Sequence, residues 1–327
     1  MLQTAFEACK NSDLLIYGLP TLWGSHIAEA LQIPSARAML QPLAPTNDFA
    51  SALLPFRFSL RYINWISHFI VTQMIYLSWR AEINYARQTL FGLGSAPLLD
   101  SSLRNYSAQP VTLHGFSEQI VNRPKDWNDK QIITGYWRNS GVEQFGVKQL
   151  AAEIIEWQAT RLHNPIAIGF GSPSMKDISQ TLSMLEKALT LANAQAILTI
   201  PSKWHSEIKS KNIFPVEYVP HDWLYKHVKI AVHHGGAGTT SASLHAGIPT
   251  ITLPLAIDQF FWGERIYKIG VGPKAIPQRK LTAEKLAHAI QIALSDETMK
   301  ARAKAVSEKL SLENGIQQAV SLMRKML

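Results

Sequence analysis

Apolar positions along the chain follow two spacings. Short apolar runs bounded by Gly, Pro or Asp alternate with segments where apolar residues recur every three or four positions. The first pattern predicts strands, and the second predicts helices that pack by one face. In the first half, Met1–Lys10 reads as a helix with Leu2, Phe6 and Cys9 on one side, and Leu14–Tyr17 as a short strand. A helix over Gly24–Leu31, a strand over Ser35–Leu40 and a three-proline loop over Gln41–Pro55 follow. Helical spacing then runs from Leu60 to Leu90, and Val111–His114 and Ile132–Thr134 read as strands.

In the second half the alternation is regular. Strands are predicted at Ile166–Phe170, Ala196–Ile200, Val216–Val219, Ile230–His233 and Thr250–Leu253. Between and after them come a helix with Ile178, Leu182, Leu185 and Leu189 on one face, helices following Gly238 and from Gln259, and a helix over Thr282–Leu294. The tail from Asp296 is helical with a break near Asn314–Gly315. Strands alternating with helices predict an α/β fold whose parallel sheets are covered on both faces. A polar, then helical, stretch at Trp137–His163 sets the expected division: a domain over 1–140, a linker over 141–163 and a domain over 164–327.

One helical segment stands apart. Between Arg61 and Arg80 lie eighteen residues without formal charge. Asn64, Ser67, His68, Thr72, Gln73 and Ser78 make it too polar for a simple membrane span. Ile63, Ile66, Ile70, Met74 and Leu77 form one face, which predicts a core-facing helix. The alternative is a helix that lines a lipophilic pocket or lies against a bilayer.

A length of 327 residues fits two domains, and 46% hydrophobic with 17% charged residues excludes a disordered or fibrous chain. The balance of 32 basic against 24 acidic residues, +8, favours anionic partners such as nucleotides or an acidic membrane surface. The basic residues are dispersed without a run of five, so no nucleic-acid tail is expected. The single cysteine, Cys9, allows neither an intrachain disulfide nor a cysteine-rich zinc site. It fits a reducing compartment, and the opening helix does not read as a signal peptide. The expected location is cytoplasmic, with contact at a membrane periphery.

Four motifs carry candidate chemistry. His233-His234-Gly235-Gly236-Ala237-Gly238-Thr239-Thr240 follows a strand and opens a helix, which suits a phosphate. Two adjacent histidines on a strand point to opposite faces, so joint chelation of a metal is not expected. Gly169-Phe170-Gly171-Ser172 ends another strand and suits a phosphate-facing loop; a dinucleotide fingerprint would need a third glycine that is missing. Asp258-Gln259, beyond a strand's carboxyl end, suits paired sugar hydroxyls or a helix cap. Val219-Pro220-His221-Asp222-Trp223-Leu224 offers an aromatic that either stacks on a base or anchors a short helix.

In this order the motifs resemble the inverting UDP-sugar glycosyltransferases of GT-B architecture, closest to the sterol glucosyltransferase and macrolide or glycopeptide branch. The resemblance is densest over Val216–Pro277, through VPHDWL, AVHHGGAGTT, LHAGIPTITLPLAIDQFFWGERI and GVGPKAIP. It extends more loosely to AEALQIPSARAMLQPLAPT, ITGYW and IGFGS. It implies two Rossmann-like domains facing a cleft, the N-terminal one incomplete. By resemblance, Ser172 approaches the donor diphosphate, Val219 borders the uracil, His234, Gly236, Gly238 and Thr239 hold the diphosphate, and Asp258 and Gln259 bind the sugar. No metal or other cofactor is implied. The reaction implied is transfer of a hexose, by family default glucose, to a hydroxyl of a sterol, other lipid or polyketide. Family members open with a strand and a glycine-rich loop followed by a catalytic base, and this chain shows neither. His26 and His114 are the candidate bases in this half. The alternative is a non-catalytic nucleotide-sugar-binding remnant or a subunit completed by a separate N-terminal chain.

Overall fold

The computed structural model describes residues 1–56, 60–99, 109–138, 147–159, 165–170 and 178–327. They divide into two compact units, one formed by Met1–Trp137 with Asn314–Leu327, the other by Arg138–Glu313.

The first unit runs α1 (Leu2–Cys9), β1 (Leu15–Tyr17), α2 (Gly24–Leu31), β2 (Ser35–Met39), α3 (Arg61–Thr89), β3 (Val111–His114) and β4 (Gln131–Ile133). Its strands pair in parallel in the order β1-β2-β3-β4. Trp23, Ile27, Ile83 and Ala96 form a buried cluster here, with Phe6 and Phe91 packed against it.

Helix α3 reverses the expected amphipathicity. Ile66, Ile70, Met74 and Leu77, the predicted core face, are 42 to 66% exposed, and Tyr62 beside them is 61% exposed. The buried side carries Asn64, Ser67, His68 and Gln73 instead. The cause is the proline-rich loop before it, whose buried backbone needs hydrogen-bond partners. Asn64 donates to the Asn47 carbonyl, Ser67 accepts from the Ser51 amide at 2.9 Å, and His68 Nε2 lies 3.0 Å from the Phe49 carbonyl. Polar side chains therefore win the inner face, and the apolar row is left outside.

The second unit runs α4 (Val147–Ala159), β5 (Pro165–Gly169), α5 (Ile178–Ala192), β6 (Gln195–Thr199), β7 (Ile213–Val216), α6 (His221–Leu224), β8 (Ala231–His233), α7 (Ala237–Ala246), β9 (Thr250–Thr252), α8 (Gln259–Lys268), α9 (Ala283–Ser295) and α10 (Glu297–Leu310). The parallel sheet has the order β7-β6-β5-β8-β9. Both faces are covered. Ile166 and Ile168 of β5 join Leu185, Leu189, Leu286 and Ile290 on one side, while Ala167 between them joins Ile154, Val219 and Leu224 on the other. A fully buried Leu or Ile contributes about 1.5–3 kcal/mol, so these two layers hold the sheet.

Three expectations shift. The strand expected at Val216–Val219 lies at Ile213–Val216, on the sheet edge, where Pro215 removes no needed amide. The segment expected as a linker contains α4, whose Ile154 is fully buried in the second unit. The final helix, α11 (Gly315–Arg324), groups with the first unit rather than with the domain expected over 164–327. A Cβ on Gly315 would come within 2.5 Å of the Tyr136 carbonyl oxygen, so this helix docks on backbone through a missing side chain.

Candidate functional site

The second sheet changes direction at its middle strand: the chain runs outward through β6 and β7, then returns to the other side of β5 for β8 and β9. At such a switch point the loops beyond two neighbouring strands separate and leave a crevice at their carboxyl ends. Gly169 and His233 are register partners, so β5 and β8 end at the same level there. The loop from β8 into α7 is the His233–Thr240 motif. Of the loop after β5, Phe170 is buried, and Gly171 and Ser172 lie outside the described residues.

The turn is held from below by His233, only 1% exposed. Its Nδ1 accepts from the Gly235 amide at 3.0 Å, which places its proton on Nε2, 3.3 Å from the Ser243 hydroxyl. Burial pushes its pKa well down, and the neighbouring histidines add to this, so the ring stays neutral. Gly235 has φ +88°, and a Cβ there would lie 3.0 Å from the Gln259 carbonyl oxygen. The turn thus packs directly on the start of α8.

Above this base the helix α7 opens without a side-chain cap; Gly236 is its N-cap residue. The amides of Ala237, Gly238 and Thr239 have no intrahelical carbonyl to bond, and with the helix dipole they favour an anion. Nothing stands within 4 Å of a Cβ built on Gly238, whereas one on Gly236 would meet His234 Nε2 at 2.5 Å. His234 therefore folds over the turn. Its Nδ1 is buried with no partner among the described residues. Burial lowers its pKa, Asp258 opposing, so at neutral pH it is an uncharged donor or acceptor.

Asp258 and Gln259 open α8 from the loop after β9. Asp258 is 8% exposed and its Oδ2 accepts from Trp262 Nε1 at 3.0 Å. Gln259 Oε1 accepts from the Leu255 and Ala256 amides at 2.7 and 3.2 Å, leaving its NH2 end to point elsewhere. Ile257, just before them, holds φ +55°, a left-handed conformation that a β-branched residue rarely adopts. Such strain concentrates where a loop must aim particular side chains.

So His234, Gly236, Gly238, Thr239, Asp258 and Gln259 lie on one connected pair of loops. Val219 differs: it is buried in the core, only 3% exposed. Trp223 is an anchor: it stacks on His227 at 4.1 Å and packs on the core. The roles of His233 as the turn's support and of Trp262 as the partner of Asp258 were not foreseen. The spacing of four between Asp258 and Trp262 on a helix was the available signal. Among the described residues no three His, Cys, Asp or Glu side chains cluster as metal ligands.

The two candidate bases sit in the first unit. His26 Nδ1 lies 3.0 Å from Arg87 Nη1, and the same guanidinium holds Glu29 bidentately. A cation can only donate, so the Nδ1 lone pair is occupied and the proton sits on Nε2. His114 is fully buried, stacked on Trp127 at 4.6 Å, with a pKa lowered to about 4 by burial. His26 is thus engaged with Arg87 and Glu29, and His114 is closed off from solvent.

A family profile described as erythromycin biosynthesis protein CIII-like, C-terminal domain, matches residues 183–320. A sterol 3-beta-glucosyltransferase of Arabidopsis thaliana is 32% identical over 344 residues, covering all of this chain and 54% of that protein. One of Saccharomyces cerevisiae is 33% identical over 335 residues, covering 98% of this chain and 27% of its own length. Along nearly its whole length the chain is similar to these sterol 3-beta-glucosyltransferases. It spans about half of the Arabidopsis relative and about a quarter of the yeast one. Solved structures of the same fold include the glycotransferase of kitacinnamycin, with TM-score 0.70, 17% identity, and coverage of 100% of this chain and 78% of that one. Another is the glycosyltransferase VinC in complex with DTDP, with TM-score 0.66, 16% identity, and coverage of 99% and 75%. The fold is therefore α/β with parallel sheets, shared with these GT-B neighbours.

Proposed function

We propose that this chain binds a nucleotide-sugar, UDP-glucose, at the β8–α7 and β9–α8 loops and serves an inverting transfer of glucose to a hydroxyl of a lipophilic acceptor such as a sterol. The observation that carries this reading is the uncapped α7 N-terminus with neutral His234 folded over Gly236 and the Gln259 backbone packed against Gly235. The free amides and helix dipole meet the diphosphate charge, so no metal is called on. By the family resemblance alone, Ser172 is assigned to the diphosphate and Val219 to the border of the uracil. Asp258, held by Trp262, and the Gln259 amide take paired sugar hydroxyls. In the transfer, the acceptor oxygen bonds to the anomeric carbon as the bond to the UDP oxygen breaks. The acceptor's proton passes to a base, and the charge gathering on UDP is met at the α7 turn. The acceptor class is taken from the sterol 3-beta-glucosyltransferase relatives. No helix among the described residues is long and apolar enough to cross a membrane. The exposed row Tyr62, Ile66, Ile70, Met74 and Leu77 supports contact with a lipid surface from which such an acceptor is drawn.

A second reading is a nucleotide-sugar-binding chain without turnover of its own, or one completed by a separate N-terminal chain. The engaged His26 and sealed His114 favour it. Calorimetry with UDP-glucose on the purified chain and on His234→Ala tests donor binding, and UDP release with a sterol present tests turnover. Binding that His234→Ala weakens at least about tenfold, the worth of a hydrogen bond to a charged group, supports the donor site. Binding without UDP release favours the second reading. Absence of binding in a folded sample overturns both.

A further inference from the structure

The first unit contains a cavity of about 450 Å3, within the roughly 300–1,000 Å3 of small-molecule pockets. Tyr17 of β1 and Arg37 of β2 lie on its lining and are register partners, so they stand side by side on one sheet face. Ile75, Tyr76, Trp79 and Ile83 of α3 supply an apolar wall. A second space of about 50 Å3 shares Leu22, Arg37, Thr72, Ile75 and Pro110 with the first, which puts Arg37 between the two.

Three polar atoms on this lining are buried with no partner among the described residues: Tyr17 Oη, Trp23 Nε1 and Arg37 Nε. Tyr17 is 3% exposed and Trp23 is 8% exposed. Buried polar atoms are almost always paired, so three orphans around one cavity call for a common partner. The indole and guanidinium N–H groups can only donate, and the phenol can donate. The nearby carboxylate does not serve them. Glu29, on the same lining, is already held by Arg87 through two hydrogen bonds, whose short geometry depresses the Glu29 pKa. Arg87 also donates Nε–H to the Gly94 carbonyl and an Nη1–H to His26. The orphan set is therefore donor-rich and includes the Arg37 guanidinium, which has no carboxylate partner among the described residues, beside an apolar wall.

We propose that this cavity binds a lipophilic anion, its charged oxygen head on Arg37, Trp23 and Tyr17 and its hydrocarbon tail along Ile75, Trp79 and Ile83. The site goes beyond the donor reading and shares no residue with the loops that carry it. A hydrocarbon alone would fill the wall but leave the donors orphaned.

The test is calorimetry of the full chain with dodecanoate, dodecanol and inorganic phosphate, below the concentrations where the first two self-associate. Dodecanoate binds once per chain, and dodecanol and phosphate each bind at least about tenfold more weakly, as expected for loss of a charged hydrogen bond or of the apolar contact. Arg37→Gln removes the preference for dodecanoate over dodecanol, and Trp79→Ala weakens both. Arg37 is only partly buried, so Arg37→Gln keeps its melting temperature and remains interpretable if Trp79→Ala does not fold. Equal affinity for the acid and the alcohol, an unchanged preference in Arg37→Gln, or no binding by a cooperatively melting wild type overturns the proposal. UDP-glucose titrated into the same samples reads the donor site separately: it is unaffected by Arg37→Gln, so failure of one reading is distinct from failure of the other.

Discussion

Alanine in place of Gly235 and of Gly238 separates the two roles of the α7 turn. Gly235 holds φ +88°, and its Cβ would stand 3.0 Å from the Gln259 carbonyl. An L-residue in the left-handed region costs about 1–2 kcal/mol, before the neighbouring backbone gives way. Gly235→Ala is therefore expected to destabilise the second unit by about 2 kcal/mol. That lowers its melting temperature by roughly 4–8 °C, because a unit of this size loses about 2–4 °C per kcal/mol. It also moves His234 and Gln259 and weakens UDP. Gly238 lies in the first turn of α7 with nothing within 4 Å of its Cβ. Alanine is a better helix former than glycine by about 0.5–1 kcal/mol, so Gly238→Ala melts at or slightly above the wild type. Its methyl group nonetheless occupies the open space over the free amides. Loss of a hydrogen bond to a charged group is worth about 1.5–3 kcal/mol, so UDP affinity falls about tenfold to a hundredfold. Differential scanning calorimetry reads the first effect and titration calorimetry with UDP the second. Wild-type affinity in a stable Gly238→Ala refutes the placement of the diphosphate over α7. A Gly235→Ala that melts within a degree of wild type refutes the argument from the turn.

Three further outcomes are expected. The buried His114 has its pKa lowered from 6.5 to about 4; at about 1.4 kcal/mol per unit this is roughly 3 kcal/mol of stability. The folded ring stays neutral while the unfolded one takes a proton, so this contribution is complete above pH 6.5 and drains away as pH falls toward 4; urea unfolding of wild type and His114→Phe across that range should differ in slope, and parallel curves would sink the assignment. Replacing the exposed Ile70 and Met74 with aspartate should abolish co-sedimentation with anionic vesicles while shifting stability by no more than about 0.5 kcal/mol per site; unchanged sedimentation removes α3 as the contact. Trp262→Phe strips the indole N–H from Asp258 and should weaken UDP-glucose more than UDP, and equal losses would detach Asp258 from the sugar.

The geometry of the candidate loops was legible because its determinants are local. A strand, a glycine-rich turn and a helix start are written within His233–Thr240, and the Asp258-Gln259 pair sits at the matching place after the next strand. What joins them is not local. The contact of Gly235 with the Gln259 carbonyl crosses two elements, and His233 became a support only when its ring met Ser243 ten residues on. The misplaced edge strand has a local cause: Pro215 reads as a strand breaker, yet an edge position tolerates it.

Periodicity by itself determined the α/β alternation, the helix over the 60–90 region and most strand positions, because burial of apolar side chains on a repeating backbone leaves a repeating pattern. It did not determine which side of α3 faces inward. That was decided by the loop at Asn47–Ser51, whose buried backbone demanded Asn64, Ser67 and His68. Nor did it reveal that Tyr17, Trp23 and Arg37 share one cavity, or that Arg87 takes the acceptor nitrogen of His26. Hydrogen-bond and charge partners come from distant parts of the chain, and only the packed structure brings them within reach.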